Sequence, residues 1–216
     1  MDVKTTIENG NAEALRDLLR EEPSRANELI RWGDRTICLT HPLHYVFDVQ
    51  FDGRLSKDAG IALVDVLIEG GADLNFQRVR DDGKNGDTPL IGAASLGAED
   101  GGIRLLDAGA KPELRGLFGE TALHWAAMLG EDRLTARLLK RLAMDLINLK
   151  DEKYKSSPLE WAIHGCTKPP AGNHGRQREV IDLLVAAGAI VEPGLVDSDT
   201  VRTNPTLLAA LRPAKP

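Results

Sequence analysis

Aromatic residues are scarce in this chain: four Phe, three Trp and two Tyr make up 4% of 216 residues. A core built on large rings is therefore excluded, and the 42% of hydrophobic residues must pack mainly as Leu, Ala, Val and Ile. Cysteine is scarcer still. Cys38 and Cys166 stand far apart with no Cys-x-x-Cys and no Cys/His cluster, which argues against a disulfide framework and leaves no metal site to expect. Positive charge is also short. With 27 Lys and Arg against 33 Asp and Glu the formal charge is −6, so the basic field that phosphate binding needs is missing and nucleic acid is not an expected partner. No apolar run approaches the length of a membrane span, and the first ten residues carry no apolar signal segment. No membrane partner and a cytoplasmic location are the corresponding expectations. Nucleophile elbow, phosphate loop, dinucleotide fingerprint and metal-binding helix motif are all missing, so no cofactor is expected.

What the chain does contain is repetition. His41-Pro42-Leu43-His44, Thr88-Pro89-Leu90-Ile91, Thr121-Ala122-Leu123-His124 and Ser157-Pro158-Leu159-Glu160 are four versions of one motif. Each precedes a short apolar segment and a second signature: Leu67 to Ala72, Leu105 to Ala110, Leu138 to Ala143 and Leu184 to Ala189. A Ser or Thr before Pro starts a helix, because the hydroxyl caps free N–H groups and Pro at the first position has no N–H to lose. Leu-Leu-x-x-Gly-Ala ends a second helix, with Gly supplying the left-handed turn. Small residues such as Ala126 and Ala127, on the same face as Leu123, let such helices approach closely.

The step from Pro89 to Ala122 is 33 residues, and in these paired, phased motifs the chain resembles the ankyrin-repeat family over nearly all its length. The resemblance implies an all-α solenoid of helix-turn-helix units with short β-hairpin fingers, each unit stable only when stacked on its neighbours. It places a single domain over residues 1–216. A capping unit spans about 1–39, units about 40–87, 88–120, 121–156 and 157–203, and a terminal helix about 204–212. Leu106, Leu123 and Leu139 are expected between units.

Departures from regularity stand out. The Pro-to-Leu spacing within a unit is 16 residues from Pro89 to Leu105, but 25 from Pro42 to Leu67 and 26 from Pro158 to Leu184. The two inserts, around residues 51–56 and 167–175, are rich in Gly, Pro and Asn and read as loops. The segment from Arg78 to Asp87 is long, polar and turn-rich, and extended loops of this kind often carry function. Gly101-Gly102 opens a helix at a local cost of about 1 kcal/mol per Gly, with no reason visible in the sequence.

Helical register picks out candidate binding residues. With the motif Leu facing the core, the positions two and five residues on face away from it, and these are Tyr45, Asp48, Gly92, Ser95, Trp125, Met128, Trp161 and His164. In ankyrin-like stacks this set lines the concave groove. Three aromatic residues thus share one solvent-facing position, where rings and Met can anchor a partner, and Gly92 would leave an opening between them. The same rings could instead form a small satellite core under the inserts. Trp32 falls near the first hairpin, where it either extends the aromatic set or covers the N-terminal cap. The resemblance makes His44 and His124 hydrogen-bonding bridges between neighbouring fingers, a role that Ile91 and Glu160 cannot copy.

Two functions follow as expectations. One is a recognition module that binds a partner protein through the aromatic-lined groove and the finger tips. The alternative is an enzyme or binder for a small apolar or aromatic molecule, in a pocket that the two inserts close, with His164, Glu160 and Asp48 as acid/base candidates. Stacked helices lie about 8–10 Å apart, so Asp48 and His164 would stand on the order of 25 Å from one another and cannot act as a pair.

Overall fold

The computed structural model describes residues 2–33, 38–77 and 85–211. Every motif opens a helix. Thr88 Oγ1 accepts from Ile91 N at 3.2 Å, Ser157 Oγ from Glu160 N at 3.4 Å, and His41 Nδ1 from Leu43 N at 3.3 Å, with Pro42, Pro89 and Pro158 in the first turn. The elements in order are α1 (Val3–Glu8), α2 (Ala12–Glu21), a 3-10 turn (Pro23–Asn27), β1 (Ile30–Trp32), β2 (Cys38–Thr40), α3 (Pro42–Phe51), α4 (Lys57–Glu69), α5 (Pro89–Ser95) and α6 (Glu99–Asp107). They continue with α7 (Ala122–Leu129), α8 (Asp132–Leu139), α9 (Met144–Ile147), α10 (Pro158–Thr167), α11 (Gln177–Ala186), α12 (Pro193–Val196), α13 (Asp199–Arg202) and α14 (Pro205–Leu211). Gly71, Gly109 and Gly188 take φ of 82°, 104° and 94° after α4, α6 and α11, the left-handed stop that the second signature predicts.

The helices form two rows. In one, α1, α3, α5, α7 and α10 each pack on the next; in the other, α2, α4, α6, α8, α11 and α14 do the same, and each first-row helix packs on the second-row helix that follows it. Leu43, Leu67, Leu90, Leu105, Leu106, Leu123, Leu138, Leu159 and Leu184 fill the seam between rows with almost no exposure. Leu138 takes the fully buried place expected of Leu139, which is half-buried.

Gly101 and Gly102 now have a reason. A Cβ on Gly101 would overlap the Phe47 ring, and one on Gly102 would lie 2.9 Å from Leu134 Cδ2, so bare backbone is what lets α6 nestle against α3 and α8. Overpacking costs about 1–3 kcal/mol, more than the roughly 1 kcal/mol that alanine gains over glycine in helix propensity. Gly101→Ala is therefore expected to lower the denaturant midpoint. A rise would mean that propensity outweighs the clash.

Strands are fewer than the resemblance implies. Among the described residues one hairpin is formed, pairing Ile30 with Thr40, Arg31 with Leu39 and Trp32 with Cys38. The fingers at residues 111–121 and 148–157 are turns instead, because acidic side chains capture their backbone N–H groups. Asp87 Oδ1 accepts from Leu117 N at 2.9 Å, Glu120 Oε2 from Phe118 N at 2.7 Å, and Asp151 from the amides of Lys153, Tyr154 and Ser156 at 2.8, 2.6 and 3.0 Å. Most of the polar segment from Arg78 to Asp87 lies outside the described residues.

The inserts also depart from expectation. The first lengthens α3 and α4 and adds only residues 52–56 as loop, with Arg54 reaching Glu8 of α1 at 3.4 Å. The second, residues 168–176, runs back as a strap over the α5–α6 and α7–α8 turns. His174 N donates to Leu129 O at 2.7 Å and His174 Nε2 to Gly97 O at 2.9 Å. Under the strap lies a buried charge cluster. Glu99 accepts from Arg133 Nη2 at 2.6 Å and Arg176 Nη2 at 2.9 Å, while neither carboxyl oxygen of the wholly buried Glu131 has a hydrogen-bond partner among the described residues.

Candidate functional site

Two tryptophans from neighbouring first-row helices build the site. Gly165 of α10 lies directly against the Met128 carbonyl of α7, where any Cβ would collide, so these two helices pack with little between them. That approach brings Trp125 and Trp161 to a centroid separation of 5.0 Å with planes at 84°. Trp161 is the floor. It is 5% exposed, its Nε1 donates to Asp151 Oδ2 at 3.1 Å, and His124 packs on it edge to face at 5.4 Å. Tyr154, carried on the turn that Asp151 organises, stands at 71° to Trp161 and 6.0 Å away. Trp125 forms the opposite wall, half-buried, with Nε1 donating to Glu120 Oε1 at 3.1 Å. The rings enclose a recess of about 460 Å³, lined also by Met128, Glu160 and His164.

Charge at this site comes mainly from carboxylates. Burial raises the Glu120 carboxyl above its ordinary range, opposed by its hydrogen bonds. Asp151 moves the other way: although burial acts to raise it, three backbone amides and the Trp161 indole stabilise the anion and leave the net shift downward. Glu160 completes the capping box of α10, with Oε2 accepting from Ser157 N at 2.7 Å, and among the described residues no donor reaches its other oxygen. His164 is exposed at the C-terminal end of α10 and makes no hydrogen bond to Glu160. Among the described residues that line this recess, no hydrogen-bonded nucleophile or acid/base pair is assembled.

Of the residues that register singles out, the structure brings Trp125, Met128, Trp161 and His164 together with Glu160. The rest do not join them, and the solvent-facing assignment fails for Tyr45, Gly92 and Trp161, which are buried because neighbouring elements cover the first-row helices. Tyr45 is 1% exposed and donates to Glu8 Oε1 of α1 at 2.6 Å, with Trp32 of the hairpin 6.0 Å away; burial, then Glu8, pushes its hydroxyl up to about 12. Gly92 is no opening, because the His44 ring fills it: a Cβ there would lie 2.9 Å from His44 Cδ2. Ser95 is half-buried and turned onto the Gly92 carbonyl at 3.0 Å. Asp48, raised to about 6 by burial and by Asp52, sits on α3 with α5 and α7 between it and α10.

His44 and His124 do bridge to the following finger, at 3.1 Å to Asp87 O and 3.0 Å to Leu149 O, and burial lowers both imidazoles, His124 to about 4. No residue of either insert lines the recess, so neither closes it, and Cys166 and His174 do not border it. Sequence reasoning missed Asp151, Glu120 and Tyr154. Their signal was present: an acid immediately before Thr121, and an Asp-x-x-Tyr turn just ahead of Ser157-Pro158. Among the described residues no helix is long and apolar enough to cross a membrane. Residues 118–152, which supply Trp125 and Met128 to this recess and the carboxylates of Glu120 and Asp151 that hold its two indoles, match the family model described as ankyrin repeat, and in this stretch the chain is similar to one repeat of that family.

Proposed function

We propose that the chain is a protein-recognition module, an ankyrin-type solenoid of five helix pairs closed by α14, which holds its partner at the Trp125/Trp161 recess. Ankyrin repeats generally mediate contacts between proteins, and the stretch that matches the family supplies one wall of the recess. The observation that carries the reading is the fixing of both indoles. Each N–H is tied to a carboxylate at 3.1 Å, so the Trp125 ring, the more exposed of the two, is oriented on a fixed Trp161 before any partner arrives and little side-chain freedom remains to be lost on binding. Met128, His164, Tyr154 and Glu160 form the remaining contact surface. The small-molecule alternative is not favoured, because the two inserts that were to close the groove do not line the recess.

Peptide display on the purified chain tests this. Enriched peptides are expected to lose about tenfold or more in affinity on Trp125→Ala, the scale of a small hot spot, with the thermal midpoint little changed. Enrichment of no sequence class, or peptides that bind the variant equally well, would reject the recess as the recognition site.

A further inference from the structure

Building on that recognition reading, we infer that the recess takes a cationic side chain, ammonium or guanidinium, from a basic segment of the partner protein. Three aromatic rings converge on the recess: Trp125 and Tyr154 pack at 84° and 71° against Trp161, with centroids 5.0 and 6.0 Å from it. Aromatic rings carry negative charge on their faces, and a cation within about 6 Å of several rings is attracted by each. Both indole N–H groups donate to carboxylates, Glu120 and Asp151, which pushes electron density onto the rings and strengthens that attraction.

Glu160 supplies the counter-charge. Among the described residues one of its oxygens has no donor, and neither Lys nor Arg lines the recess. Lys150, the base whose charge acts on Glu160, is held 2.8 Å from Glu192. A purely apolar partner side chain would cover the open Glu160 oxygen without a hydrogen bond, and an anion would be repelled. A guanidinium or ammonium satisfies rings and carboxylate together. Beside the recess, between the two neighbouring fingers, one cation is already held in this manner, with Lys153 Nζ 4.1 Å from the Phe118 centroid and 5.0 Å from that of Tyr154.

The test uses the three indole N–H signals of the ¹⁵N-labelled chain, with Trp32 as an internal control. Acetyl-Gly-Arg-Gly-amide is expected to shift the Trp125 and Trp161 signals and leave Trp32 unmoved, and its neutral citrulline counterpart should bind about fivefold more weakly. Glu160→Gln keeps the capping box, since Gln also accepts from Ser157 N, and should bring the arginine peptide down to the citrulline level. Raising the salt concentration should weaken only the charged peptide. Citrulline binding as tight as arginine, or Glu160→Gln without effect, would overturn the inference. If acetyl-Gly-Leu-Gly-amide shifts the same two signals at least as strongly as arginine, the recess recognises apolar side chains, and the cation inference falls while the recognition reading stands. Should none of the three peptides move either signal, both fall.

Discussion

Trp161→Ala is expected to cost about 3–5 kcal/mol of folding stability, the range for truncating a large buried ring, whereas Trp125→Ala should cost clearly less. The two residues are equivalent in sequence and unequal in structure. Trp161 is 5% exposed, carries His124, Trp125 and Tyr154 on its ring, and satisfies one oxygen of the nearly fully buried Asp151. Its removal leaves both a cavity and an under-bonded carboxylate, and it loosens the turn that positions Tyr154. Trp125 is half-buried on one wall, so its loss opens the recess to solvent rather than hollowing the interior. Urea midpoints of the two variants decide the point. Equal and small shifts would mean that the ring cluster is loose and the recess not formed in advance, which would also remove the preorganisation on which recognition rests.

The register of the repeats was legible because it rests on local chemistry: Ser, Thr or Pro at helix starts, Gly at helix stops, and Leu every turn on the inner face. Those signals mark where the helices start and stop, while the bridges made by His44 and His124 were what the family resemblance implied. Side-chain exposure was not legible in the same way. Register shows that Tyr45, Gly92 and Trp161 point away from the seam, but the elements that cover them, α1, the His44 ring and the Asp151 turn, come from other parts of the chain. Groove-lining and solvent-facing are therefore different statements. The inserts misled for a related reason. Composition marked residues 167–175 as loop, correctly, but its landing place depends on where Gly97 and Leu129 present their carbonyls, which only the stacking of three helix pairs decides. The Gly101-Gly102 pair is the converse case, a local oddity whose cause is the Phe47 ring of the preceding pair and Leu134 of the next.

Glu131 gives the second large effect, in the pH dependence of stability. Burial, and next the charge of Glu99, hold its carboxyl well above the usual carboxylate range, with Arg176 and Arg133 opposing. Neither oxygen is hydrogen-bonded among the described residues; His174 Nε2 stands 3.9 Å from Oε1, and Asp100 adds a further like charge. A native carboxyl raised in this way contributes stability that is fully present below about pH 4.5 and is lost as pH rises toward its native value, because the unfolded chain releases the proton first. Relative to Glu131→Gln, the native protein is thus expected to lose up to about 1.4 kcal/mol per pH unit above pH 4.5, so the variant becomes the more stable of the two near neutrality. Asp48, raised to about 6, acts in the same direction, and His41 and His124, both lowered to about 4, act in the opposite one. All three are common to both proteins and cancel in the difference. Urea midpoints at a series of pH values from 4.5 to 8 measure that difference. Parallel curves would mean that Glu131 is ionised in the fold, its charge balanced by Arg133 and Arg176. The strap would then be held by charge, and raising the salt concentration should loosen it.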